Sequence, residues 1–350
     1  MIRPTHRIAD PEDQGAVIAR AVQLARIGQA DLSPLASIAS WQRAPAPVQD
    51  IVAREVAARL GAAWEFKEMR FWSLKKAIRV PVADIARKAG AHEFGAILRL
   101  MGMADQTMEI ETGCRLAIFV HRATGMEFSL CPGQLCNKRH ESTCVDPFVR
   151  PLLVARWPVT RLQWYRVTEI SDGRGGGRTA IDPPADHDHD PMTGVSFEAA
   201  GKVDAVGLRL TTASEWEHAA RAGTTTRFYW GEEMDDEHCW HAGNSAPRWP
   251  DGSPQLPDSI SDRGRPRPHA PAEHDRAGKF NAFGLVDVFG NVAEWCADGD
   301  ARGGSFHSDS TSIGVNFTGY RTEHDFGGAP GLGSVGFRPI CSIPGIGEAT

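Results

Sequence analysis

Phe280–Asp298, FNAFGLVDVFGNVAEWCAD, places a Gly-Asn pair, a carboxylate and a tryptophan within a few positions. Glycine and asparagine tolerate a left-handed backbone, so the pair is typical of a tight turn. The residues after it up to Ala297 are apolar apart from Glu294, so one possibility is a turn that leads into a buried strand. The same residue types could also form a catalytic or a metal site, so the chemistry of this stretch stays open at this point.

The composition is typical of a packed globular protein with one large or two ordinary domains: 350 residues, 41% hydrophobic and 23% charged. The net charge of −6 provides no positive field to attract nucleic acid. There is no apolar run long enough to cross a membrane and no apolar signal core in MIRPTHRIADPEDQG, so we expect a cytoplasmic protein. Seven cysteines, an odd number, favour reduced thiols over disulfides.

Residues 1–112 are predicted to form a small, separate helical domain. Asp10-Pro11 is a suitable helix start, with aspartate as the N-cap and proline in the first turn. Apolar residues then recur at helical spacing in three stretches, GAVIARAVQLARI, PVQDIVAREVAARLGAAWEF and PVADIARKAGAHEFGAILRLMGM. We expect a protein partner to dock on this helical region.

The pattern changes near Cys114, where short apolar runs are broken by glycine and proline. RLAIFVHR and MEFSLCPG predict a β-hairpin, and PFVRPLLVARWPVTRLQWYRV predicts a strand that runs into a helix. The segments 169–191 and 235–280 are polar and rich in glycine or proline, which is typical of loops. Residues 113–345 are therefore predicted to form an α+β domain with little regular secondary structure.

Six motifs occur in a fixed order in this half: PMTGVSFEAA, GLRLTTASEWEHAARAG, FYWG, FNAFGLVDVFGNVAEWCAD, RGGSF and VGFRP. Together they resemble the formylglycine-generating enzyme, or sulfatase-modifying factor, family, over residues 115–340. The resemblance implies a compact variant of the C-type-lectin-like fold, often with structural calcium.

The segment LTTASEWEHAARAG predicts a helix, because Thr212 and Glu215 have the spacing of a capping box. Its tryptophan and alanines share one face, which favours packing over catalysis. Arg338, in VGFRP, would need a carboxylate partner if buried. We expect that partner to be Glu215 or Glu217.

The resemblance also implies calcium in two loops. In FGNVAEW, Asn291 and Glu294 would ligate the ion through side-chain oxygens, which suit calcium. In HAGNSAP, Asn244 would be joined by Asp258 or Asp262. The alternative is that these side chains only cap backbone amides.

The catalytic residues of the family have no counterpart in the corresponding segment. Active members carry two cysteines after GGS, and these thiolates bind copper(I) and activate oxygen. The segment here is RGGSFHSDSTSIG, with Ser308 and Ile313 at the two positions. Neither residue suits copper(I), which prefers thiolates. We therefore expect no copper and no formylglycine-forming activity, as in a pseudoenzyme.

Other residues with metal-binding side chains remain as alternatives to ordinary loops and thiols. DHDHD carries His187 and His189. A possible zinc set is formed by Cys131, Cys136, His140 and Cys144, although the spacing of its first pair is wide for a zinc knuckle. An iron(II) set would need His307, Asp309 and His324.

The favoured interpretation is a non-catalytic module that recognises a protein or a small ligand. The segment 306–335 mixes adaptable polar residues with aromatic rings, as binding loops do. It corresponds to the hypervariable region of the variable proteins of diversity-generating retroelements, which share the fold, and related domains occur in bacterial conflict systems. The predicted contact residues are Phe306, His307, Ser308, Asp309, Asn316, Tyr320, Arg321, His324, Asp325 and Phe326. The alternatives are a metal-dependent oxidoreductase of the formylglycine-generating or non-haem iron type and an inactive paralogue that modulates an active partner.

Overall fold

The computed structural model describes residues 11–73, 78–81, 107–110, 113–135, 148–173, 188–246, 268–321 and 333–346. The α-helices are α1 (Pro11–Arg26), α2 (Ile38–Arg43), α3 (Ala46–Leu60), α4 (Arg161–Ser171), α5 (Phe197–Ala200), α6 (Ala213–Arg221) and α7 (Ala272–Ala277). Short 3-10 helices span Ser33–Ala36, Gly201–Val206 and Ser310–Ser312. Within these ranges, no helix combines the length and the apolar character that crossing a membrane requires.

Most of the described strands are short, as the frequent glycines and prolines predict. The described strands are β1 (Trp64–Ser73), β2 (Ile78–Pro81), β3 (Thr107–Ile110), β4 (Gly113–His121), β5 (Met126–Cys131), β6 (Gln134–Leu135), β7 (Phe148–Val149), β8 (Leu152–Ala155), β9 (Arg209–Leu210), β10 (Ala293–Trp295), β11 (Asp300–Gly303), β12 (Gly314–Arg321), β13 (Val335–Gly336) and β14 (Pro339–Ser342). Of these, β1, β4 and β12 are longer than the rest.

Most of the core lies against a six-stranded sheet in the order β1-β4-β5-β8-β14-β9. The predicted hairpin is its β4–β5 pair, and the predicted strand before a helix is β8, followed by α4. All four residues of β8 are buried. The mixed helix and sheet architecture predicted from the sequence is therefore confirmed.

The first strand of this sheet comes from the region predicted to be a separate helical domain. β1 pairs with β4 along its whole length, from Trp64 opposite His121 to Ser73 opposite Gly113. The indole of Trp41, on α2, also donates a hydrogen bond to the carbonyl of Arg115. A domain boundary at residue 112 is therefore wrong, because it would cut through a β-ladder. Helices α1 and α3 confirm two of the predicted helical stretches, whereas most of the third lies outside the described residues.

Trp72 packs this first strand closely against the rest of the chain. Its ring is 2% exposed and lies over the backbone of Gly284, where a Cβ would approach the ring to 2.2 Å. The guanidinium of Arg156 lies 4.5 Å from the centroid of the same ring. Arg156 also pairs with Glu127 and Asp275. The strand is thus fixed by packing and by cation–π attraction as well as by its ladder.

The second sheet has four strands in the order β12-β11-β10-β13 and is reached through the turn in Asp287–Asn291. Asp287 and Asn291 have positive φ angles of 52° and 58°, and glycine is required at position 290, where a Cβ would lie 2.4 Å from the carbonyl oxygen of Trp240. The stretch that decides the fold is therefore a turn that leads into the buried strand β10.

Candidate functional site

A loop of residues 304–313, the hairpin loop, joins β11 to β12 where Gly303 pairs with Gly314. Gly303 and Gly304 have φ angles of 90° and 79°. A Cβ on Gly304 would lie 2.8 Å from Cγ1 of Ile313, so the start of the loop is packed against its end. The GGS sequence is therefore needed for a close approach of two backbone segments.

The inner side of the hairpin loop is held by hydrogen bonds. The Ser305 amide donates to Ser308 Oγ at 2.9 Å, and the Ser308 amide donates back to the Ser305 carbonyl at 2.9 Å. The Phe306 amide donates to the carbonyl of Asn291 at 2.8 Å, and Ser245 Oγ donates to the carbonyl of Phe306 at 3.0 Å. The loop is thus attached to the turn before β10.

Arg227 fixes the outer side of the hairpin loop. Its guanidinium donates to the carbonyls of Ser310 at 3.3 Å, Thr311 at 2.8 Å and Ile313 at 2.7 Å. The guanidinium also lies 4.7 Å from the ring centroid of Phe228. Sequence reasoning missed Arg227, because the residue before FYWG gives no spacing signal that connects it to a loop so far along the chain.

Three of the predicted contact residues, His307, Asp309 and Asn316, are exposed on or beside the hairpin loop. Two others are wrong as contact residues, because Phe306 is 3% exposed and Ser308 is 8% exposed. Their side chains point into the protein and support the loop.

The remaining predicted contact residues lie on β12 or beyond it. Tyr320 and Arg321 belong to β12. His324, Asp325 and Phe326 lie outside the described residues. Thr311 and Ser312, which lie in the predicted binding segment 306–335 but not among the predicted contact residues, are exposed at the tip of the hairpin loop.

An open cleft of about 660 Å³ is lined by residues 230–236, close in sequence to Arg227. Its lining includes Trp230 and four acidic residues, Glu232, Glu233, Asp235 and Asp236. The backbone N–H of Arg227 donates to the carboxylate of Glu232 at 3.1 Å. One arginine therefore connects this cleft to the hairpin loop.

The side chain of Asn291 is fully buried and bonds to protein groups. Its Nδ2 donates to Asp287 Oδ2 at 2.7 Å and to the His269 carbonyl at 2.8 Å, and its Oδ1 accepts from the His269 amide at 2.9 Å. Asp287 contacts His274 through its other oxygen. Trp240 stacks on His269 with ring centroids 3.7 Å apart. The side-chain amide of Asn291 thus connects the turn at residues 287–291 to the segment that contains His269.

Glu294 bonds to a different set of groups. Its carboxylate accepts from Trp216 Nε1 at 2.8 Å and from Arg338 Nη2 at 2.8 Å. The expectation that Arg338 pairs with Glu215 or Glu217 is therefore wrong: Glu215 pairs with Arg209, and Glu217 pairs with Arg221. Glu215 caps α6 together with Thr212, as predicted.

The predicted calcium loops show capping interactions in the part of the chain that the structure describes. Asn244 Oδ1 accepts from the His241 amide at 2.7 Å, and its Nδ2 donates to the carbonyls of Asp236 and Cys239. Asp258 and Asp262 lie outside the described residues. Among the described residues, the side chains of Asn291 and Glu294 have no hydrogen-bond partner in common. Calcium at either loop stays a prediction, and an increase in melting temperature on adding calcium would support it.

The family follows from a comparison with known sequence families. The model of the sulfatase-modifying factor enzyme 1-like domain matches residues 117–340, which is more than half of the chain. The chain belongs to this family. The resemblance predicted from the ordered motifs is confirmed, and the match begins within β4.

Curated relatives of this sulfatase-modifying factor domain match over shorter segments. The formylglycine-generating enzyme of Streptomyces coelicolor is 33% identical over 35% of this chain and 36% of its own length. The chaperone protein LppX of Paenibacillus barcinonensis is 27% identical over 40% of this chain and 51% of its own length. The chain thus matches about half or less of these relatives.

Solved structures with a similar arrangement include Treponema denticola variable protein 1, with 18% identity, a TM-score of 0.41, and coverage of 63% of this chain and 96% of that one. PvdO from Pseudomonas aeruginosa has 17% identity and a TM-score of 0.41, and covers 64% of this chain and 97% of its own.

The described cysteines of this sulfatase-modifying factor domain are Cys114, Cys131, Cys239, Cys296 and Cys341, all free and buried. Burial raises the pKa of Cys114, Cys239 and Cys296 to about 12 and that of Cys341 to about 11. Without a bound metal, such thiols stay protonated at neutral pH and are poor nucleophiles.

Only some of the other predicted metal ligands lie within the residues that the structure describes. Cys136, His140, Cys144 and His187 lie outside the described residues, while Cys131 is buried in β5 and His189 is exposed. Among the described residues, no three or more histidine, cysteine, aspartate or glutamate side chains form a group that could hold a metal ion. The zinc and iron alternatives stay predictions.

Proposed function

We propose that this sulfatase-modifying factor domain is a non-catalytic recognition module that binds its ligand with the hairpin loop. The observation that carries the proposal is the pair of residues at the positions of the family's copper-binding cysteines. Ser308 bonds to Ser305 within the loop, and Ile313 is 1% exposed and packs against Gly304. Ser308 and Ile313 therefore stabilise the conformation of the loop, and neither side chain provides a thiolate for copper.

The exposed part of the loop supports binding. His307, Asp309, Thr311 and Ser312 provide an imidazole ring, a carboxylate and two hydroxyl groups in a short surface segment. Arg227 donates hydrogen bonds to the backbone carbonyls of Ser310, Thr311 and Ile313, so the conformation of the loop is largely preformed. A preformed loop loses little conformational entropy when it binds. Loops on a rigid frame are a common way to build a binding site.

The partner proposed for this surface is a protein or a small ligand with hydrogen-bonding groups. The acidic cleft beside Arg227 extends the surface and favours ligands with a positively charged group. A second partner contact through the helical N-terminal residues stays a prediction. Val17 and Ile27 are exposed there, at 47% and 63%.

The proposal can be tested by screening peptide and glycan arrays with the purified chain. A ligand found in this way should bind at least about tenfold more weakly to a His307→Ala, Asp309→Ala, Ser312→Ala variant, because each lost contact costs about 0.5–1.5 kcal/mol. A matched control is His189→Ala, Glu198→Ala, Asp204→Ala, which changes three exposed residues away from the hairpin loop and the cleft. Equal binding by both variants would exclude the hairpin loop as the site.

The catalytic alternative needs its own experiment. The chain is incubated with copper(I), oxygen and a cysteine-containing sulfatase peptide, and the product is analysed by mass spectrometry. We expect no aldehyde. Aldehyde formation that stops when copper is chelated would refute the non-catalytic proposal.

A further inference from the structure

Arg302, on β11, is a buried charge without a partner among the residues that the structure describes. The side chain is 6% exposed. Its Nε is buried and makes no hydrogen bond, and the ion pairs between described residues that involve buried arginines are those of Arg156 and Arg338. The other two buried arginines of the core behave differently, since Arg156 and Arg338 each have a carboxylate partner.

The acidic residue directly across the ladder does not neutralise Arg302. Glu294, on β10, is its register partner, but the Glu294 carboxylate is occupied by Arg338 and Trp216. The thiol of Cys296 is close enough to interact electrostatically with Arg302, but it is uncharged at neutral pH because burial raises its pKa to about 12. Neither Glu294 nor Cys296 therefore neutralises the charge of Arg302.

An unpaired buried charge is costly, since removing an ion from water costs several kcal/mol unless another charge or hydrogen bonds replace the water. A well-packed apolar residue would be more favourable at this position if the only role of Arg302 were structural. We propose that Arg302 is the anion-binding residue of a ligand site and that its ligand is a carboxylate.

The local charge favours a carboxylate over phosphate. A guanidinium has one positive charge and matches the two oxygens of a carboxylate in a forked geometry. A phosphate would add further negative charge beside Glu294, the register partner of Arg302. The small exposed area of the side chain favours a small acid over an acidic side chain of a protein. This inference does not depend on the proposed function of the hairpin loop.

The test compares acetate with acetamide, its neutral counterpart of similar shape. The melting temperature of the full chain is measured against increasing acetate, with sodium chloride as the salt-matched control. We expect a saturable increase with acetate and none with acetamide. Arg302→Met should abolish the increase or weaken the apparent affinity at least about tenfold, because a charge-assisted hydrogen bond contributes about 1.5–3 kcal/mol. A tripeptide with a free C-terminal carboxylate, compared with the same tripeptide amidated at that end, would show whether a peptide carboxylate also binds at Arg302.

The matched control is Arg209→Met, because Arg209 is a half-buried arginine already paired with Glu215. It should keep the response to acetate. Without ligand, Arg302→Met should be as stable as the unaltered chain or more stable, as expected when an uncompensated buried charge is removed. If that variant does not fold, Arg302→Lys replaces it and should bind acetate more weakly. No response to acetate, or an equal response in the Arg302 variants, would overturn the proposal.

Discussion

Glu294 and Arg338 form an ion pair in which each side chain is only 1% exposed, with Arg338 Nη2 2.8 Å from Glu294 Oε1. Glu294 lies on β10, in the four-stranded sheet. Arg338 follows β13 and also donates to the carbonyl of Ala155 on β8, in the six-stranded sheet. The pair therefore connects the two sheets through one guanidinium.

Breaking this pair should be among the most damaging single changes in the chain. Glu294→Gln and Arg338→Met should each reduce the free energy of unfolding by about 3–5 kcal/mol, because each leaves an unpaired buried charge. Urea denaturation provides the measurement. The control is Glu65→Gln, in the exposed Arg122–Glu65 pair, which should change stability by less than about 1 kcal/mol. A loss below 1 kcal/mol for both buried variants would contradict the prediction.

His218 should make stability depend on pH. Burial lowers the pKa of His218 from its ordinary value of 6.5 to about 4, and the ring donates to the Pro132 carbonyl at 2.8 Å. The unfolded chain binds a proton below pH 6.5, whereas the folded chain does not until about pH 4. His218 should therefore leave the free energy of unfolding unchanged above pH 6.5. As the pH falls from 6.5 to 4, His218 should lower that free energy by about 3 kcal/mol.

The measurement is urea denaturation at intervals between pH 7 and pH 4. His218→Gln should flatten the curve over this interval, because glutamine does not titrate. His189→Gln, a change at an exposed histidine, should leave the curve as it is. Parallel curves for the original chain and the His218 variant would show that another group is responsible.

The sequence was informative where an interaction is local. The capping box of Thr212 and Glu215 and the β4–β5 hairpin follow from spacing alone. It was uninformative where partners are distant: nothing near Arg338 indicates Glu294, because both residues come together only through the sheets. The same holds for Arg227 and the hairpin loop. The domain boundary failed because β1 is amphipathic and follows a helix, so its pairing with β4 has no local signal.

The N-terminal residues should be required for folding. Trp72→Ala should cost about 3–5 kcal/mol, since it removes a large buried ring and the cation–π contact with Arg156. Denaturant titration measures this. Phe71→Ala, which changes an exposed neighbour at 50% exposure, should have little effect. A fragment that begins at residue 113 and melts at the same temperature as the full chain would disprove the prediction.

Arg227 should determine the order of the hairpin loop. Arg227→Met should increase amide hydrogen exchange in residues 306–313 while leaving the exchange of β4 and β5 unchanged, because three loop carbonyls lose their donor. Hydrogen exchange with mass spectrometry resolves the two regions. Arg122→Met, in the exposed pair with Glu65, is the matched arginine control. Unchanged exchange in the loop would show that its inner hydrogen bonds are sufficient.

The position of β14 has a consequence for how the chain is made. β14 lies between β8 and β9, so residues 152–155 stay without that neighbour until residues 339–342 have been synthesised. An open edge beside four apolar residues is a template for pairing with other chains. Prematurely terminated products that lack β14 should therefore aggregate, and a chaperone that covers this edge should increase the yield of native protein.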